Sequence, residues 1–321
     1  MSAMPAEAKP IRSKYDRLIA AAQEVATVPT LVVHPCDESS LRGAMDAAAA
    51  DIIKPILVGP AAKIRDVAAK NNLNIAGYEI VDAPHSEAAA AKAVEMIHAG
   101  VGEALMKGSL HTDELMRSVT AKVGGLRTHR RISHVFVMDV PAYAETVFVT
   151  DAAINIAPDL DGKRDIIQNA VDLHNEAGFG KAPRVAILSA VETVTSKIPS
   201  TIEAAALCKM ADRGQITGAL LDGPLAFDNA IDVEAARIKG IKSEVAGRAQ
   251  ILVVPDLESG NMLAKNLAYF AKADSAGIVL GARVPIVLTS RADSPRSRMA
   301  SAAVAALHAN ARRRQKPIAA S

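Results

Sequence analysis

What most constrains the fold of this chain is a repeated alternation of short apolar runs with helix-length amphipathic segments. Eleven runs read as buried strands: 30–33, 55–58, 78–81, 103–106, 134–140, 146–150, 184–189, 217–221, 250–254, 278–280 and 284–289. Many are near-continuous Val, Ile and Leu, as strands covered on both faces require. Between most of them the period becomes helical. In 161–178, Ile166, Ile167, Ala170, Val171, Leu173 and Ala177 make one stripe that Gly178 closes. In 200–214, Ser200 and Glu203 have capping-box spacing and Gly214 closes the segment. Strand and helix in alternation predict an α/β fold, with mostly parallel sheets flanked by helices. The alternation breaks once. After Gly124-Gly125, the runs 134–140 and 146–150 are joined only by 141–145, which predicts an antiparallel pair and marks a place where a second domain begins. At 321 residues the chain has room for about two domains.

Composition narrows the function classes. Lys and Arg number 37 and Asp and Glu 35, so no global charge draws the chain to nucleic acid or an anionic membrane. There is no Trp, with four Tyr and five Phe, too few aromatic faces for a single-stranded nucleic-acid platform. No apolar run is long enough to span a membrane. The first 30 residues hold Glu7, Asp16 and Glu24 and do not read as a signal peptide. The two cysteines, Cys36 and Cys208, have no metal-ligand spacing, and the expected home is the reducing cytoplasm. The histidines form no zinc pattern, and no glycine-rich dinucleotide or P-loop signature follows a strand. The basic tail 311–316 reads as a helix C-terminus whose cations suit the helix dipole.

In open parallel sheets ligands bind beyond the carboxyl ends of strands. Two such corners carry chemistry. One is Ser290-Arg291-Ala292-Asp293, followed by Ser294 as helix N-cap and Pro295 at the first helical position. It reads either as an anion site or as a plain capped turn with Arg291 paired to Asp293. The other is Lys107-Gly108-Ser109, with His111 and Arg117 on the helix that follows; it reads either as an anion site or as a solvated helix face. Gly108 permits close backbone approach. Asp151, Asp222 and Asp256 each end a strand, where carboxylates hold Mg²⁺, act as bases or cap turns, and Gly223-Pro224 favours a turn. The basic knot 127–131 fits either a phosphate grip or a solvated loop.

These corners resemble the phosphate acetyltransferase / phosphate butyryltransferase family. The resemblance runs from Lys107 to Ala306 and rests on Lys107-Gly-Ser-Leu-His111 with Arg117, Thr150-Asp151-Ala-Ala-Ile-Asn155, Leu188-Ser-Ala-Val-Glu192, Asp222-Gly-Pro-Leu-Ala-Phe-Asp228, Val245-Ala-Gly247, Pro255-Asp256 with Gly260-Asn261, and Leu288-Thr-Ser290-Arg291, in family order. It implies reversible transfer of an acetyl group between coenzyme A and inorganic phosphate. It implies coenzyme A as substrate, no permanently bound cofactor, no metal, and a homodimer. The implied architecture is that of the isocitrate/isopropylmalate dehydrogenases, with the active site in an interdomain cleft. Residues 1–131 plus 279–321 would form one domain and 132–278 the other. Ser290 and Arg291 match a family pair expected to stabilise an oxyanion and phosphate. Arg117, Lys107, Gly108, His111 and Asn155 would bind phosphate or coenzyme A. One departure stands out. Acetyltransferases of the family carry Asp seven residues after the serine, and here that position is Ser297. Asp293 is the nearest carboxylate and takes the role of base in this reading. Ser189-Ala-Val-Glu192 and Pro224-Leu-Ala-Phe-Asp228 are nearer the butyryltransferase branch, so butyryl-CoA is the alternative substrate. A metal-dependent decarboxylating dehydrogenase using Asp151, Asp222 and Asp256, and a non-catalytic binding protein, are the other readings.

Overall fold

The structure, a computed structural model, describes residues 13–289 and 293–314. Its strands are β1 (Val28–Val33), β2 (Ile53–Gly59), β3 (Ile80–Asp82), β4 (Ala104–Lys107), β5 (Ser133–Asp139), β6 (Val147–Thr150), β7 (Arg184–Leu188), β8 (Leu220–Leu225), β9 (Ile251–Val253), β10 (Asp274–Leu280) and β11 (Ile286–Val287). Each overlaps one run expected from the sequence. They join in one sheet of order β3-β2-β1-β4-β11-β10-β5-β6-β9-β7-β8. The outer pairings are parallel. The antiparallel ones, β11–β10, β10–β5 and β5–β6, sit together at the centre. The expected antiparallel pair 134–140 and 146–150 is therefore β5–β6.

The helices are α1 (Lys14–Gln23), α2 (Glu38–Ala49), α3 (Ala61–Lys70), α4 (Ser86–His98), α5 (Thr112–Val119), α6 (Leu160–Glu176), α7 (Pro199–Asp212), α8 (Phe227–Ile231), α9 (Val233–Ile238), α10 (Leu257–Tyr269) and α11 (Pro295–Arg313). Strand side chains alternate between the two faces of the sheet. Val28 and Val32, Ala104 and Met106, Val135 and Val137, Ala276 and Ile278, and Ile251 and Val253 enter one continuous core with residues of α1, α2, α3, α6, α7 and α11. On the opposite face the core is divided. Leu31, Leu105, Val279 and Ile286 pack with α4 and α5. Met138, Val149, Leu252 and Ala186 pack toward α8, α9 and α10. The gap between these two clusters lies over the antiparallel centre of the sheet.

Two local expectations need correction. The α7 segment has no capping box: the helix starts at Pro199 with Ile198 as N-cap and no side-chain cap bond. Ser200 instead shares a hydrogen bond with Ser189, and Glu203 pairs with Lys163. Gly223-Pro224 is not a turn but lies inside β8. Among the described strands β8 has β7 as its one neighbour, and proline, lacking an N–H, is tolerated on such an edge. Gly178 and Gly214 do follow α6 and α7 with positive φ, as helix-closing glycines. The basic tail is the end of α11 up to Arg314; 315 and 316 lie outside the described residues.

Candidate active site

A cleft of about 670 Å³ opens over the central strands on the divided face. The ends of β4 and β11, the strands β5 and β10, and the helices α5, α10 and α11 shape it. β4 ends in Lys107, whose side chain is buried to 9 % exposure although its residue type favours water. Lys107 Nζ donates to the Gly108 carbonyl. Gly108 is required here: a Cβ would lie 2.3 Å from the Val33 carbonyl oxygen and 2.5 Å from that of His34. The close approach expected of Gly108 is thus to the end of β1, and it lets Ser109 donate to the His34 carbonyl. His111 is the N-cap of α5 and lines the cleft mouth without making a side-chain cap bond.

The second strand end follows β11. Leu288 and Thr289 line the cleft and lead directly to Ser290 and Arg291. Ser290 and Arg291 lie outside the described residues. Asp293 also lines the cleft. Ser294 caps α11 by accepting from the Ser297 N–H, and its hydroxyl donates to Ser297 Oγ. Ser294 as N-cap and Pro295 at the first helical position are as expected. Ser297 is buried to 6 % exposure, faces the cleft and is tied into that cap.

The structure thus brings Lys107, His111 and Asp293 to one cleft. Arg117 and Asn155 are placed elsewhere. Arg117 is exposed on α5 and pairs with Glu87 at 3.0 Å. Asn155 is buried with its amide engaged: Nδ2 donates to the Ile132 carbonyl and to Asp151 Oδ2, and Oδ1 accepts from Arg131 Nε. The Asp151 carboxylate also accepts from the N–H groups of Ala153, Ile154 and Asn155. Asp256 caps α10, whereas Asp222 lies inside β8, where its carboxylate accepts from the Gly223 N–H. Among the described residues no group of three or more His, Cys, Asp or Glu is arranged to hold a metal ion. In the basic knot, Arg130 pairs with Asp172 and Arg131 with Asn155.

Sequence reasoning missed the floor. His134 and Phe136 stand on the cleft face of β5, while Val135 and Val137 enter the opposite core. His134 is 1 % exposed, and its ring meets Phe136 edge-on at 4.4 Å between centroids. Burial pushes its pKa down to about 4, against the opposing charge of Asp151. The signal was available: a polar residue opens an otherwise apolar strand, in phase with an aromatic two positions on.

The cleft lining combines apolar groups (Leu110, Phe136, Ala264, Ala268, Leu288) with lysines, carboxylates and hydroxyls. A small apolar group joined to an anion fits such a cleft, and an enzyme acting on that kind of molecule is the class it defines. Residues 86–306 match the phosphate acetyl/butaryl transferase family. The chain is 71 % identical over 96 % of its length to the phosphate acetyltransferase of Rhizobium meliloti, covering 97 % of that protein. It is 42 % identical to the phosphate butyryltransferase of Clostridium beijerinckii, over 91 % of this chain and 97 % of that one. A branched-chain phosphotransacylase from Enterococcus faecalis V583 superposes with a TM-score of 0.76 at 29 % identity, covering 88 % of this chain and 99 % of that one. The chain belongs to the phosphate acetyl/butyryl transferase family, and it is an acyltransferase.

Proposed function

We propose that this protein is a phosphate acetyltransferase, catalysing acetyl-CoA + phosphate = acetyl phosphate + CoA. The observation that carries the acetyl reading is the 71 % identity to an acetyltransferase, set against 42 % to a butyryltransferase. The cleft supplies what the chemistry asks for. A free thiol has a pKa of about 8.5, so coenzyme A attacks acetyl phosphate only as its proton is removed. Asp293, on the cleft wall, is the carboxylate proposed to accept it. The thiolate then adds to the carbonyl carbon, the C–O bond to phosphate breaks, and phosphate leaves with its electron pair. Ser290 and Arg291 are proposed to hold the developing oxyanion and the phosphoryl oxygens, because a planar guanidinium matches phosphate better than an ammonium does. Lys107 and His111 add positive charge and a donor at the same end. Gly108 sets the backbone they stand on, and Asn155 holds the Asp151 turn after β6.

We also propose a homodimer in the cytoplasm. Ile156, Met262 and Phe270 are 66–84 % exposed in the half built on β6–β9, which suits a subunit interface. Cys36 and Cys208 are free thiols, which suits a reducing compartment. The proposed domain division, 1–131 plus 279–321 against 132–278, would cut through β10 between Ile278 and Val279, the two residues that pair with β11. A thiol-detection assay tests the function. Acetyl-CoA and butyryl-CoA at equal concentration, with phosphate, with and without EDTA, should release free coenzyme A, faster from acetyl-CoA and equally with chelator. Faster release from butyryl-CoA would replace the acetyl reading. No phosphate-dependent release from either would remove the acyltransferase itself.

A further inference from the structure

We propose that His134 is a catalytic residue of this acyl transfer: its neutral imidazole donates a ring N–H to the carbonyl oxygen of the bound acyl group. The proposal rests on the functional reading above. Three observations carry it. First, His134 is polar, 1 % exposed and part of the cleft lining, and its Nδ1 has no hydrogen-bond partner among the described residues. A buried polar group without a partner is costly, and on a cleft lining, unlike in a closed core, a bound ligand can supply that partner.

Second, the fold makes room for the ring at the expense of another side chain. Gly277 on β10 pairs with Phe136. A Cβ on Gly277 would lie 3.0 Å from His134 Nε2 and 2.7 Å from the Leu288 carbonyl oxygen. The imidazole is therefore packed beside Leu288, two residues before Ser290. Third, His134 shares its cleft with both apolar and charged side chains. Phe136 and Leu288 offer apolar surface to an acyl chain, and Lys107 offers positive charge to an anion. The acyl carbonyl is the polar atom between chain and anion, and it needs a donor.

The charge state suits donation without proton transfer. Burial keeps the ring neutral at neutral pH, and the carboxylate of Asp151 only partly offsets this. A neutral imidazole polarises a carbonyl and can stabilise the tetrahedral oxyanion as the C–S or C–O bond breaks. His174 has an equally unpartnered Nδ1, but its ring packs against Phe148 and Phe179 on the continuous core face and borders a separate cavity that holds none of these groups.

The test has two arms. In the first, His134→Phe and His134→Gln are assayed with acetyl-CoA and phosphate. Loss of one oxyanion donor lowers kcat by about 10²–10³-fold. We expect His134→Phe to show that loss with the KM for acetyl-CoA within about threefold, and His134→Gln, which keeps an N–H donor, to recover at least about tenfold over it. A His134→Phe enzyme within about threefold of the parent kcat overturns the proposal, as does a glutamine variant no better than phenylalanine. The second arm needs no variant to be active. The ring ¹⁵N resonances of the parent protein, with His134 identified by its loss in His134→Gln, should shift with saturating acetyl-CoA and not with coenzyme A, which lacks the carbonyl. Equal response to both, or none, refutes the contact. A parent enzyme that releases no coenzyme A breaks the functional reading instead, so the two failures are distinguishable.

Discussion

His134 and His174 are both 1 % exposed, both pushed down to about 4 by burial, and both lack a partner at Nδ1 among the described residues. They lie on opposite faces of one sheet. His174 projects from α6 into the continuous core, between the rings of Phe148 and Phe179 at 5.4 and 5.8 Å. His134 lies on the divided face, where two apolar clusters stop short of each other and leave the cleft. Identical burial therefore has different consequences. On one face it seals a polar group into packing, and on the other it holds one in reserve at the floor of a binding space. The difference originates in topology. On that face the helices of the two clusters pack against the flanks of the antiparallel centre, and the cleft opens between them.

The largest effect should separate the faces outright. Asp293→Asn on the cleft wall removes the proposed thiol base and should lower kcat about 10²–10⁴-fold, the usual contribution of general-base catalysis. His174→Phe on the closed face should leave kcat within about twofold. Steady-state kinetics of the two variants check this, and equal losses would erase the distinction between the faces.

Next in size is the shared property, which is pH-dependent. Above pH 6.5 both histidines are neutral in the folded and unfolded chain and contribute no pH dependence. As pH falls through 6.5 the unfolded chain takes up protons that the folded one refuses down to about 4, so stability drops across that window. A downward shift of this size costs up to about 3 kcal/mol per histidine at the acid end. His174→Phe should therefore unfold at a nearly pH-independent offset from the parent above pH 7, with the gap moving in the variant's favour as pH falls to 5. Urea midpoints in that range measure it. A gap that does not change with pH would mean that His174 is not held neutral.

Much of this fold was legible from local pattern. The eleven strands and the antiparallel break follow from apolar runs and from one link too short for a helix. The helix start at Ser294-Pro295 follows from residue chemistry. Lys107, His111 and Asp293 could be picked out because strand ends are where ligands bind. What could not be read was order across the sheet. β11 inserts between β4 and β10, joining residues near 107 to residues near 288, and β10 then brings in β5 with His134. No local signal encodes that adjacency. The Ser200–Glu203 spacing misled for a related reason: Ser189 and Lys163, distant in sequence, claim those side chains. Asn155 matched a family motif, but its place is with Asp151 and Arg131, a tertiary arrangement that the motif does not reveal.

Gly277 gives a smaller and more local way to probe the divided face. Gly277→Ala places a methyl group against the Leu288 carbonyl and the His134 ring, and backbone cannot yield as a flexible side chain can. Overpacking of this kind costs about 1–3 kcal/mol. We expect a lowered thermal midpoint together with a kcat loss of about tenfold, since both displaced groups adjoin the proposed reaction centre. Ala276→Gly, one residue away on the closed face, should destabilise without a kcat loss once the enzyme is assayed below its unfolding range.

Arg117 should give the smallest effect, and it marks how far the site extends beyond the cleft. Its side chain is 69 % exposed and held by Glu87, with Asp113 at 4.0 Å. Exposed ion pairs of this kind are worth about 0–1 kcal/mol, little enough for a substrate phosphate to compete for the guanidinium. The resemblance assigns Arg117 to phosphate, and α5 carries it on the same short helix whose N-cap, His111, lines the cleft mouth. Arg117→Ala should therefore raise the KM of an anionic substrate by about tenfold, equivalent to about 1.4 kcal/mol, with kcat held within about twofold. Raising the ionic strength should shrink the difference between parent and variant, because an exposed contact is screened while Lys107 in the cleft is not. Titrating phosphate and acetyl-CoA separately shows which anion Arg117 meets. A KM unchanged for both would confine the site to the cleft and leave Arg117 a surface partner of Glu87.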